Sequence, residues 1–254
     1  MGMVNLIRAR GAAFKLAREL DFPHPAEIPL EDLAMYRNVL VVEGGLIGAE
    51  GRLIRRKKGG VIRVREGIGQ EGRRRFTIAH ELGHWELHED HSQFLCSESD
   101  MRDYGRSPLE REANCFAAEL LMPTVHFRPL CQEEPSLNLV KNLAKEFQTT
   151  LTATAIRLAD LSKYPLQVVW HEGDVVKWSY SEEKKKLPYV AAGTVVPGYG
   201  SARLPESEVS EFMDHYDSAD WFPALQYGKP EVIEMTMRVP SLSAGLTLMR
   251  FVDR

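Results

Sequence analysis

The sequence predicts an α+β protein of two units: a mostly helical unit with a small sheet, then a sheet-rich unit. Three observations predict it. Helical periodicity dominates up to Pro165, and strand-like alternation or short apolar runs dominate after it. The pentapeptide His80-Glu81-Leu82-Gly83-His84 falls inside one of the helical stretches. The length of 254 residues, 44% apolar and 27% charged, suits one large or two modest globular domains. Residues 1–165, including a helix pair at 136–163, are therefore placed in the first unit and 166–254 in the second.

Each element has its own signal. Residues 3–20 mix basic and apolar positions like an amphipathic helix and lack the unbroken apolar core of a secretory signal. A turn at Phe22-Pro23-His24-Pro25 precedes a helix at Leu30–Tyr36. Asn38–Glu43, Arg52–Lys57 and Val61–Arg65 read as strands, the last two joined through Lys58-Gly59-Gly60, where glycine supplies positive φ. Residues 73–88 read as a helix with Phe76, Ala79, Leu82 and Gly83 on one side, and 89–106 as an irregular acidic stretch. Ser107-Pro108 opens a helix that stops before Pro123, with Ser as cap and Pro at the first turn. Residues 136–148 and 151–163 follow as two helices. Leu166–Trp170, Val175–Tyr180, Val232–Val239 and Leu246–Val252 read as strands.

Composition narrows the function. No apolar run approaches the ~20 residues of a membrane-spanning helix. Three cysteines, Cys96, Cys115 and Cys131, argue against a disulfide framework and fit a reducing cytoplasm. A net charge of −4 excludes a polycation built for nucleic acid. The charge is segregated, however: Arg52–Arg75 holds ten Arg/Lys against two acids, and Glu86–Glu119 nine acids against three arginines. Glu206–Asp220 holds six acids and no base, which reads as a solvated face.

The HExxH pentapeptide carries the chemistry. On a helix, residues i and i+4 share a face, so His80 and His84 converge on one cation, and imidazole suits Zn²⁺. Glu81 is placed to take a proton from the attacking water as general base. Gly83 is a poor helix former, and its presence implies close packing behind the site. A third ligand is needed. Asp90 stands where the long metzincin form has a histidine, but without Gly at 87 the helix should run on and carry it away. The better source is the helix from Ser107, with Glu110 or Glu112. Glu110 shares its face with Ala113, Asn114 and Ala117, small enough for close approach, and Asn114 could orient a ligand histidine. Ser107-x-x-Glu110 is also a capping box, which would employ Glu110 differently.

Phe76–His84 followed by Glu110–Pro123 resembles the ImmA/IrrE family of zinc metallopeptidases over roughly 30–165. The resemblance implies a zincin-like, gluzincin-type domain in a cytoplasmic peptidase, with His80, His84 and Glu110 as Zn²⁺ ligands and Glu81 as base. It implies as substrate a helix-turn-helix repressor, encoded nearby, whose cleavage derepresses stress or anti-phage genes. The CapP group within the family adds latency, with single-stranded DNA as activator. Cys96, twelve residues after His84, is a candidate inhibitory fourth ligand. By its position, residues 166–254 are expected to be a GAF-like sensor or regulatory domain.

Weaker signals remain. Val61–Arg65 or its hairpin partner is a candidate sheet edge for an extended substrate. The pair at 136–163 could be a helix-turn-helix, but Ala144, Phe147, Ile156 and Leu158 look like core. Trp170, Trp178, Tyr180 and Trp221 read as core rather than a stacking surface. His88, His91 and His171 read as surface histidines, and any of them, or Tyr104, is a candidate oxyanion donor. The alternative to a peptidase is a non-proteolytic DNA- or ligand-binding regulator with a structural zinc.

Overall fold

The computed structural model describes residues 4–20, 24–97, 107–197, 211–217, 221–222, 231–239 and 243–252. Its contacts form two compact units, Met1–His126 with Ala144–Thr150, and Phe127–Leu143 with Leu151–Arg254. The change of sequence texture falls at 165, while contacts already group Phe127–Leu143 and the helix Leu151–Leu161 with the second sheet.

In the first unit, α1 (Leu6–Leu20) buries Ala9, Ala13 and Leu16, and Asn5 Oδ1 accepts from the Arg8 N–H at 2.9 Å to cap its start. A 3₁₀ turn (Pro25–Glu27) and α2 (Leu30–Tyr36) lead into the sheet. Strands β1 (Val39–Gly44), β2 (Gly51–Arg56), β3 (Gly59–Arg65) and β4 (Gln93–Cys96) lie in the order β1-β3-β2-β4. β1 runs parallel to β3, and the other pairs are antiparallel. The β2–β3 turn falls on Lys57-Lys58, one step earlier than expected. Gly59 supplies the positive φ of 144°, whereas Gly60 is needed because a Cβ there would lie 2.6 Å from the Trp85 ring.

Alternation puts Leu53, Ile62 and Val64 on one buried face of this sheet, against α3 (Glu71–Leu87). On the far side of α3 lies α4 (Pro108–Leu121). The crossing is close because a Cβ on Gly83 would stand 3.0 Å from Ala113 Cα and 3.2 Å from Phe116 Cβ. The close packing expected behind Gly83 is therefore present, with Ala113 as the partner.

Two expectations need correction. β3 is interior and so is its hairpin partner β2, because the unforeseen four-residue β4 pairs with β2. Neither Val61–Arg65 nor Arg52–Lys57 is an edge. The helix before Asp90 also stops at Leu87 rather than running on, and Asp90 is exposed.

In the second unit, β5 (Leu166–Glu172), β6 (Val175–Ser181), β7 (Glu211–Asp217), β8 (Glu231–Val239) and β9 (Ala244–Val252) form an antiparallel sheet ordered β6-β5-β9-β8-β7. β7 lies in the acid-rich stretch read as a solvated face. After α5 (Thr124–Leu130) and α6 (Leu137–Glu146), α7 (Leu151–Leu161) packs on β5 and β6. Lys185 Nζ closes its C-terminal end by donating to the carbonyls of Ala159, Ser162 and Tyr164 at 2.6, 3.0 and 2.9 Å. Thr154 and Arg157 are buried, so α7 offers neither to a DNA groove, and Ala144, Phe147, Ile156 and Leu158 are core as expected. Trp170 and Trp221 are buried, Trp170 stacks on Trp178, and the Trp221 Nε1–H donates to Glu234 Oε2 at 2.7 Å. No helix among the described residues is long and apolar enough to cross a membrane.

Candidate metal centre

The α3–α4 approach brings one face of each helix together. On α3, His80 and His84 stand one turn apart and are fully buried, and on α4 Glu110 reaches them from the first turn. Glu110 Oε2 lies 3.0 Å from His80 Nε2 and 3.3 Å from His84 Nε2, and the two Nε2 atoms are 3.1 Å apart. The Ser107 side chain makes no cap bond, so the capping box does not form and Glu110 is turned to the histidines instead.

Strand β4 brings a fourth donor, Cys96, whose Sγ lies 3.5 Å from His84 Nε2. The donor atoms of His80, His84, Cys96 and Glu110 all fall within 4.8 Å of one another. The ring of Phe94, two residues earlier, stacks on His84 with centroids 3.9 Å apart. Asn114 Oδ1 accepts from His80 Nδ1 at 2.9 Å. Glu112, the alternative ligand, points elsewhere: its Oε2 lies 3.1 Å from His88 Nε2.

The electrostatics fit a cation. With the Nδ1 of His80 bonded to an amide oxygen, its Nε2 presents a lone pair, and so does Glu110 Oε2 beside it. Electron-rich atoms at such distances repel unless a proton or metal lies between them. Two imidazoles, a carboxylate and a thiol are a donor set that suits zinc. Burial depresses His84 to about 4, which keeps it the neutral form a metal requires. Against the cost of burial, His80 is raised by Glu110. Glu110 itself, despite its own burial, is held well below the usual carboxylate range by the two histidines.

Glu81 occupies a different position. It is fully buried, and neither carboxylate oxygen has a hydrogen-bond partner among the described residues. Burial pushes it up to about 7; His80 and the nearby Cys96 thiol, which does not meet bonding geometry, pull the other way. Gly51 on β2 makes room for it, since a Cβ there would collide with the Glu81 carboxylate and stand 2.9 Å from Thr77 Cγ2. A buried, unpaired carboxylate beside a donor cluster costs stability and is usual where an acid–base group is needed.

Residues 34–159 match the family described as peptidase M78, the IrrE N-terminal-like domain. Through that domain the chain belongs to the ImmA/IrrE family. The donor residues of α3, β4 and α4 all lie inside the matched stretch. A solved structure of a Mycobacterium tuberculosis transcriptional regulator shares the fold, with a TM-score of 0.65 at 15% identity, over 96% of this chain and 88% of that one. No match is found among curated proteins.

Several residues lie otherwise than expected. His88 and His171 are buried rather than on the surface, while His91 is exposed. His171 belongs to the second unit, and Tyr104 lies outside the described residues. Cys115 Sγ donates to the Leu6 carbonyl at 3.7 Å and Cys131 Sγ to that of Phe127 at 3.2 Å, so neither joins the cluster. Sequence reasoning missed Gly51, Phe94 and the inward turn of His88. Only the last had a signal, the four-residue step from His84 along the same helix.

Proposed function

We propose that the chain is a zinc-dependent, site-specific endopeptidase, with His80, His84 and Glu110 as ligands and Glu81 as general base. The observation that carries this reading is the buried, unpartnered Glu81 carboxylate beside the donor cluster. When bound, Zn²⁺ would supply Lewis-acid polarisation of the scissile carbonyl and of water. Glu81 would take the proton of the attacking water and deliver it to the leaving amine. Asn114 would keep His80 in the tautomer that presents Nε2.

The substrate we infer is a helix-turn-helix repressor encoded nearby, in a cytoplasmic regulatory circuit of the stress or anti-phage kind. The family and the regulator-like fold support the regulatory setting. Cys96 is proposed as the fourth ligand that holds the enzyme latent, as in the CapP group, because a closed four-ligand set leaves no open position. Single-stranded DNA is the proposed activator, and the basic stretch at 52–75 is its proposed contact. Residues 166–254 are proposed as a GAF-like sensor domain.

The test is incubation of zinc-loaded protein with the neighbouring repressor, with and without single-stranded DNA, followed by mass spectrometry of fragments. We expect one defined cut that depends on DNA in wild type and is independent of it in Cys96→Ser. An intact repressor under all conditions would reject the reading. Cys96 also favours a second reading, a non-proteolytic regulator with a structural zinc, because structural sites are closed. That reading predicts that Cys96→Ser weakens the metal and releases no cleavage.

A further inference from the structure

The second ligand histidine does not stand alone. His84 Nδ1 lies 2.9 Å from Nδ1 of His88, one turn further along α3. His88 Nε2 lies 3.1 Å from Glu112 Oε2 on α4, and the other oxygen, Oε1, accepts the backbone N–H of Asn5 at 2.7 Å. His84, His88 and Glu112 are all buried. The donors and acceptors have one consistent order. A His84 that offers Nε2 to a metal carries its proton on Nδ1 and donates to His88 Nδ1. His88 then carries its own proton on Nε2 and donates to the carboxylate, which takes the Asn5 N–H on its second oxygen. With His88 neutral, the other tautomer of His84 sets two lone pairs against each other, either at His84 Nδ1 or at the Glu112 carboxylate.

We propose that His88 and Glu112 form a positioning relay that fixes the tautomer and ring orientation of His84 and ties that orientation to the N-terminal helix. The relay presupposes the metal-ligand role of His84 given above. It parallels the His80–Asn114 pair, so each ligand imidazole is held from behind by α4, once directly and once through His88. The packing makes it rigid: α1 lies against α4, and Arg8 donates to the Leu87 carbonyl at 2.8 Å, at the end of α3 where His88 sits. An oriented imidazole loses less freedom on binding a metal and is the stronger ligand, and loss of such a partner typically weakens metal binding by about 10–100-fold.

The test uses the full-length protein. Zinc affinity is measured by competition with a chromogenic chelator, and the His84 tautomer by ¹⁵N chemical shifts in the zinc-free and zinc-loaded forms. His88→Ala is expected to bind zinc about 10–100-fold more weakly and to mix the His84 tautomers in the zinc-free protein. His88→Gln, whose amide can accept from His84 and donate to Glu112, is expected to restore both. Glu112→Ala should act in the same direction as His88→Ala. Unchanged affinity and tautomer in His88→Ala overturn the relay. So does a loss of affinity with the tautomer unchanged and no rescue by Gln, which marks a packing role. Wild-type protein that binds no zinc overturns the metal reading itself, a result visible before any variant is compared.

Discussion

At the residue scale, four clustered donor side chains and one buried carboxylate occupy different places. The donors face one another across α3, β4 and α4, while Glu81 faces β2, so the proposed metal binding and the proposed proton transfer are separable by substitution. Glu81→Gln is expected to keep zinc and the melting temperature but lose cleavage by about 10²–10⁴-fold or more, checked by metal analysis and a fragment assay. Its stability should hold or rise, because a neutral amide is less costly to bury than a carboxylate. Glu110→Ala is expected to lower zinc occupancy, because it removes the one carboxylate of the donor cluster, and elemental analysis decides it. The cysteines should differ in reactivity. Burial pushes the Cys131 thiol up to about 11, whereas Cys115 is only half-buried. Iodoacetamide near neutral pH is expected to label Cys115 well before Cys131, read by peptide mass spectrometry.

At the scale of elements, the site depends on how closely two helices pass. A Gly83→Ala change gains up to about 1 kcal/mol of helix propensity but drives a methyl group into the backbone of Ala113. Overpacking of this kind typically costs about 1–3 kcal/mol, so a net loss in urea unfolding is expected. Gly83 was readable as a packing residue because glycine inside an amphipathic helix needs a reason. The helices other than α5, β1 to β3 and the shared face of His80 and His84 were legible for a similar cause: periodicity and the i, i+4 step depend only on local geometry, whereas the seven-residue α5 was not foreseen. β4 was not legible, because four residues are too few to show a period, and its pairing with β2 is long-range. β7 was hidden by its acidic composition, which describes solvation better than hydrogen bonding. His88 was misplaced because burial of a histidine depends on partners, here Glu112, that are distant in sequence.

For the whole molecule, the helices before Pro165 belong to two bodies. α7 buries Ala155, Leu158 and Ala159, packs on β5 and β6, and its end is closed by Lys185 from beyond β6. A chain ending at Pro165 keeps every residue of the donor cluster but exposes that apolar face and reopens three carbonyls. It is expected to retain zinc yet melt lower and self-associate, which scanning calorimetry and light scattering would check. If it melts like the full chain, the division of contacts described above does not govern stability.

The shortest strand has a consequence in time. β4 holds four residues, pairs with β2 alone among the described residues, and ends on Cys96. Edge segments with so few ladder bonds open before the rest of a sheet, so its amides are expected to exchange with deuterium ahead of those of β2 and β3. Each opening takes the thiol away from the other three donors and leaves them in place on the two helices. In the metal-free chain the four-donor arrangement is therefore expected to last only as long as one closed interval of β4, and the three-donor arrangement as long as the fold.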